Sequence, residues 1–171
     1  MTNLDTLILM TSDRISRSLK RMAHEINERN RSDFPIVLFG INRRGLALAE
    51  ELGTILSTIL DGPVNIEQLN LEEKSQPDLR LENDVYETPS FIVLVDDVIF
   101  SGRTMFRALT ATAGQLKPAE IYTAVLVDRG HRKYPVRAEF YGLKLPTKLD
   151  EHVDVVVEGG NVKNVRLTHQ P

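Results

Sequence analysis

Phe91-Ile-Val-Leu-Val-Asp-Asp-Val-Ile-Phe-Ser-Gly-Arg-Thr104 is the stretch from which the fold of this chain can be read. It begins as a continuous apolar run, Phe91 to Val95, with the length and β-branched content of a strand buried on both faces. Two carboxylates, Asp96 and Asp97, arrive where that strand is expected to end. After Val98 and Ile99 comes a short turn, Phe100-Ser-Gly-Arg-Thr104, and then helical spacing through Met105, Leu109 and Leu116. Strand, acidic pair, turn and helix together describe a site at the carboxyl edge of a parallel sheet, the edge where open α/β sheets bind ligands.

The residue types define the chemistry of that edge. Gly102 lets the backbone approach a ligand closely, and the amides of Ser101, Gly102, Arg103 and Thr104 can converge on it. The Ser101 and Thr104 hydroxyls add donors, and the positive end of the following helix points the same way, which makes a phosphate cradle. Asp96 and Asp97 suit neutral sugar hydroxyls as acceptors, with a divalent cation nearby to offset their charge. A phosphorylated ribose satisfies both halves. The plainer alternative, an ordinary capped helix beside solvated aspartates, leaves most of these polar residues unused, because a cap needs only one.

Outward from this stretch, composition sets the frame. With 171 residues, of which 42% are hydrophobic, the chain fits one domain, 1–171, with a full core. The formal charge of -3 gives no global attraction to nucleic acid, and the absence of cysteine excludes disulfides and thiolate metal sites. No apolar run approaches membrane-spanning length and the N-terminus lacks a signal-peptide pattern, so no membrane association and a cytoplasmic location are expected.

Leu7 to Met10 is a short apolar run before Thr11-Ser12-Asp13, a helix start. Ile15, Leu19, Met22, Ala23 and Ile26 then form one core-facing stripe, while Arg14, Arg17, Lys20 and Arg21 lie on the opposite side. That basic side reads either as a solvated helix face or as a surface for RNA. Pro35 to Phe39 is expected as a first buried strand, ending in the loop Gly40-Ile-Asn-Arg-Arg-Gly45, with a helix from about Leu46 to Leu60. Arg43, Arg44 and Gly45 are placed there to hold a second anion, pyrophosphate being the obvious candidate. Val64 to Leu71 is a strand of mixed polarity near an edge, and Glu72 to Pro89 loses all periodicity. Such a loop can close over a site, and Lys74 and Arg80 are its only cations. Ile121 to Val127 is a further buried strand, ending in Asp128-Arg-Gly-His-Arg132; Phe140 to Leu143 is another. Val153 to Val157 and Val162 to Leu167 read as a hairpin about Gly159-Gly160-Asn161.

Val93 to Thr104 resembles the phosphoribosyl-pyrophosphate (PRPP) motif of type I phosphoribosyltransferases: apolar residues, two acids, two apolar residues, a variable position, then Ser/Thr-Gly-x-Thr. Within that group the chain is most similar to the family of pyrimidine operon attenuation regulators that are also uracil phosphoribosyltransferases. The likeness extends over Ala23 to Asn30, Gly40 to Gly45, Ala124 to Arg132, Pro135 to Ala138, Gly142 and Leu145-Pro-Thr147. It implies a mainly parallel sheet flanked by helices, with a small hood over the site. It implies conversion of uracil and PRPP to UMP and pyrophosphate with Mg2+, and a homodimer or higher homo-oligomer. It also implies binding of an mRNA leader hairpin, for which Arg14, Arg17, Lys20 and Arg21 are the candidate contacts.

Carried onto this sequence, the resemblance gives Asp96 and Asp97 to the ribose hydroxyls and, through PRPP and water, to the metal. Ser101 to Thr104 take the 5′-phosphate; Arg43, Arg44 and Gly45 take the pyrophosphate. Phe100, Arg129 and His131 lie by the base, and Lys74 and Arg80 are the catalytic cations of the lid. Two positions depart from the family. Phe100 stands where the regulators commonly carry Tyr and hypoxanthine-guanine enzymes carry Asp, which disfavours a 6-oxopurine. The loop after Leu71 is short and has Glu-Glu-Lys-Ser-Gln in place of Thr-x-Tyr-Arg. Three functions remain open on the sequence: a uracil phosphoribosyltransferase, a uridine-nucleotide-sensing RNA-binding regulator with little or no turnover, and a phosphoribosyltransferase acting on another base.

Overall fold

The computed structural model describes residues 6–71, 79 and 89–169. In chain order they form β1 (Thr6–Met10), α1 (Ser12–Arg29), β2 (Ile36–Ile41), α2 (Asn42–Leu60), β3 (Asn65–Leu69) and β4 (Phe91–Ile99). There follow α3 (Arg103–Leu116), β5 (Glu120–Asp128), β6 (Phe140–Lys144), β7 (Glu151–Glu158) and β8 (Asn161–His169).

β4 is central because its apolar run is needed on both sides. Phe91, Val93 and Val95 pack into a cluster with Leu19 and Met22 of α1 and Leu48 and Leu52 of α2. Ile92 and Leu94, one residue out of phase, join Met105 and Ala108 of α3 in a second cluster on the opposite face. A strand covered by helices on both faces must read as unbroken apolar sequence. The sheet order is β3-β2-β4-β5-β6, and every neighbouring pair is parallel. β3 occupies an edge, as its mixed polarity implies.

Two boundaries differ from the sequence reading. β4 does not stop at the acidic pair but runs to Ile99, because β5 offers partners all the way: Asp96 opposes Val125, and Ile99 opposes Asp128. The segment from Gly40 to Gly45 is not an extended loop either. β2 runs to Ile41 and α2 starts at Asn42, so Arg43, Arg44 and Gly45 form the first turn of α2. Asn42 makes the change of direction with φ of 53°. Close packing then requires both glycines. A Cβ on Gly40 would lie 2.3 Å from Leu46 Cα, and one on Gly45 would lie 2.6 Å from the Val95 carbonyl oxygen. The helix therefore descends directly onto β2 and β4.

β1, β8 and β7 form a separate three-stranded antiparallel sheet, the hood. Its β7–β8 turn uses Gly159 and Gly160 at positive φ. Leu7 to Met10, read only as an apolar run, supplies the third strand. Met10, Val153, Val155, Val162, Val165 and Leu167 turn one hood face onto the first apolar cluster. No helix among the described residues is long and apolar enough to cross a membrane.

Candidate active site

The turn read from the sequence as a phosphate cradle is one that only glycine makes without strain. Gly102 has φ of 84° and caps α3, and Ser101 Oγ accepts the Arg103 N–H at 3.3 Å. A Cβ on Gly102 would meet Val136 Cγ2 at 2.6 Å, so this turn lies directly against the segment after β5. That segment is tied to it by backbone bonds: the Lys133 and Tyr134 N–H groups donate to Ser101 O at 2.8 and 3.1 Å. Arg132 completes the tie, donating to Phe100 O at 2.8 Å and pairing with Asp128 at 2.9 Å. The cradle thus rests on Arg132–Val136. Asp96 and Ser101–Thr104 line one cleft of about 120 Å3.

The alternation that orders the β4 core also divides the acidic pair. Asp96 has the parity of Ile92 and Leu94 and falls on the α3 side, inside the cradle's cleft. It is 9% exposed, and burial, reinforced by the neighbouring Asp97 charge, raises its pKa well above the ordinary carboxylate range. Its Oδ1 accepts the Asp97 N–H at 2.9 Å, which partly offsets those effects. Asp97 has the other parity and faces α2, where its Oδ2 lies 3.8 Å from Arg44 Nη1.

The same Arg44 nitrogen lies 3.1 Å from Asp154 Oδ1 on β7, so one guanidinium joins the sheet edge to the hood. Arg43, Arg44 and Asp154 line a second cleft of about 250 Å3. Phe100, Arg129 and His131 come together beside the cradle. The Arg129 guanidinium carbon is 4.3 Å from the Phe100 ring centroid, and the His131 ring is 5.2 Å from it. Arg129 is pinned by Thr147 Oγ1 at 2.9 Å and by the Glu151 carbonyl, and His131 Nε2 bonds the Thr147 carbonyl. Burial lowers the Arg129 pKa, opposed by the Glu151 charge. Gly130 and His131 at φ of 77° and 59° turn the chain so that neighbouring side chains converge.

Sequence reasoning assigned no role to Arg132, Thr147, Glu151 or Asp154. Arg132 and Thr147 lie in stretches that carry the family likeness, and Asp154 carried a signal of its own, a charge set between Val153 and Val155 at the alternation of a half-buried strand. Lys74 and Arg80 lie outside the described residues. On α1, Arg14 donates to Leu9 O at 3.1 Å, while Arg21 pairs with Glu25 and donates to Tyr141 O at 2.7 Å. Arg17 and Lys20 are exposed.

Residues 10–159, from the end of β1 to the turn of the final hairpin, match the Phosphoribosyl transferase domain, and the chain belongs to that family. It is a type I phosphoribosyltransferase in fold and class. Among curated relatives it is similar to the Bifunctional protein PyrR of Chloroflexus aurantiacus, 40% identical over 157 residues that cover 86% of each chain. The Bifunctional protein PyrR of Deinococcus deserti is 38% identical over 169 residues, 93% of this chain and 92% of that one. Among solved structures, the hypoxanthine phosphoribosyltransferase of Trypanosoma cruzi superposes with a TM-score of 0.76 at 18% identity, over 96% of this chain and 97% of that one. A likeness at that identity carries the fold alone.

Proposed function

We propose that this chain transfers the phosphoribosyl group of PRPP to uracil, yielding UMP and pyrophosphate. The observation that carries the reading is the single cleft where a buried carboxyl, the Ser101–Thr104 turn and the Phe100 ring meet. Asp96 and Asp97 hold the ribose hydroxyls, the amides at the start of α3 hold the 5′-phosphate, and Arg43 and Arg44 receive the pyrophosphate. The bond from C1 of the ribose to pyrophosphate breaks as a pyrimidine nitrogen bonds to C1. Positive charge develops on the sugar ring beside the carboxylates, and negative charge on the leaving group beside the first turn of α2. Holding sugar and base at fixed positions supplies much of the remaining advantage.

Among the described residues no three His, Asp or Glu side chains converge on a metal site. Asp96 and Asp97, adjacent carboxylates at the end of β4, are the residues that would hold magnesium carried on the diphosphate, through water. When bound, the ion offsets the charge of the diphosphate.

Phe100 decides the base. Its ring offers a stacking face and no hydrogen-bond acceptor, and the adjacent Arg129 and His131 are held by Thr147 and Glu151. Uracil is expected to turn over faster than hypoxanthine or guanine in a side-by-side assay of pyrophosphate release. Guanine as the better substrate would overturn the pyrimidine assignment.

A second activity, binding of a pyrimidine-operon leader hairpin, is supported by likeness to proteins named bifunctional. All four basic residues on this side of α1 are exposed, but Arg14 and Arg21 already donate to the Leu9 and Tyr141 carbonyls, so Arg17 and Lys20 are the contacts to test. Affinity is expected to fall with salt at a logarithmic slope of roughly -0.7 per phosphate contact in single-stranded segments. Binding should respond to UMP, because coupling between two sites is reciprocal. Arg17→Glu/Lys20→Glu should weaken binding. A salt- and UMP-independent interaction unaffected by that variant would leave a salvage enzyme only.

A further inference from the structure

Arg44 is shared between two carboxylates on separate sheets through one nitrogen, Nη1, 3.1 Å from Asp154 and 3.8 Å from Asp97. Asp97 belongs to the ribose subsite as read above, but Asp154 has no part in it. A carboxylate lining the same cleft as Arg43 and Arg44 repels any anion that enters. Its presence there needs a reason.

We propose that Asp154 is a positioning residue that competes with the diphosphate for Arg44, so that diphosphate binding at the first turn of α2 opens an ion pair between hood and sheet. The inference rests on the pyrophosphate role given to Arg43 and Arg44. The pair is built to be broken. The Arg44 and Asp154 side chains are 52% and 37% exposed, so water screens the contact and an incoming anion reaches it directly. A diphosphate carries more charge and more acceptor oxygens than a carboxylate, and a guanidinium can receive it with two parallel bonds. Asp154 is not stranded afterwards. Its cross-strand partner on β8 is Arg166, and directly opposed residues share a face of an antiparallel pair. In the free protein, then, Asp154 holds the guanidinium over the cleft in an ordered position. In the bound protein it gives the guanidinium up.

A purely structural fastening of the hood makes a different forecast. Removing the carboxylate would then lower the melting temperature and leave anion affinity unchanged. Competition predicts tighter binding when the carboxylate is neutralised.

The test is titration calorimetry of inorganic pyrophosphate with magnesium on the full chain, beside thermal melting of each variant. Asp154→Asn is expected to bind about five-fold more tightly than wild type, the scale of one exposed ion pair lost. Asp154→Ser should behave the same way, which covers a folding defect of either variant, and Asp154→Glu should return the affinity to near the wild-type value. Equal or weaker binding by Asp154→Asn and Asp154→Ser, with measurable binding by wild type, overturns the inference alone. Failure of wild type to bind pyrophosphate overturns the pyrophosphate reading of Arg43 and Arg44, and this inference with it.

Discussion

Asp96→Asn/Asp97→Asn is expected to weaken PRPP binding by about a hundredfold to ten-thousandfold, the sum of two charge-assisted hydrogen bonds at about 1.5–3 kcal/mol each. The two carboxylates leave the end of β4 on opposite faces, Asp96 toward the cleft before α3 and Asp97 toward Arg44, so neither is expected to replace the other in the proposed ribose subsite. Stability should move the other way. Burial and the Asp97 charge raise the Asp96 pKa in the folded state, so the fold binds that proton more tightly than the unfolded chain does. Stability from this group is complete below its unfolded pKa and is lost as pH rises through the folded value. At neutral and alkaline pH the wild-type carboxyl therefore weakens the fold, and Asp96→Asn should melt higher than wild type, with the difference closing as pH falls. Calorimetric titration with PRPP and magnesium reads the first effect, and melting across pH reads the second. Unchanged affinity removes the ribose role, and a variant less stable at every pH contradicts the account of Asp96.

Arg132→Ala should be the most damaging single change outside the ligand-contacting residues. The guanidinium pairs with Asp128, whose side chain is 8% exposed, and donates to the carbonyls of Phe100, Gly130 and Val136. Among the described residues, truncation leaves the buried Asp128 carboxylate with the Gly130 N–H at 2.9 Å, and three carbonyls without this donor. Breaking one side of a buried ion pair costs about 3–5 kcal/mol. The lower end applies here because the Arg132 side chain is 22% exposed. The phosphate turn should loosen as well, since Gly102 rests against Arg132 Cδ and Val136. Arg132→Lys keeps the charge but loses the fork, and should fall between wild type and Arg132→Ala. Denaturant unfolding measures the loss, and a change below about 1 kcal/mol would show that the segment after β5 does not depend on this residue.

The legibility of the chain follows from how far each contact reaches along the sequence. The strands, the α3 site and the final hairpin are local patterns, and each is visible within about ten residues. The extension of β4 through Asp96 and Asp97 was not, because it depends on partners in β5 some thirty residues further on. The position of Arg44 in a helix was hidden for a similar reason. Gly40 and Gly45 read as loop residues in isolation, whereas here they allow close approach to Leu46 and Val95. Thr147 and Glu151 hold Arg129 from 18 and 22 residues away, a proximity no motif encodes. The division of Asp96 from Asp97 was legible in principle. It needed only the strand to continue, since side-chain direction alternates along it.

Purified chain, PRPP, magnesium and uracil should yield UMP and pyrophosphate in equal amounts, with no pyrophosphate released when uracil is omitted. Binding of PRPP and UMP without any formation of UMP would contradict the account, and would make this chain a nucleotide sensor on a phosphoribosyltransferase scaffold.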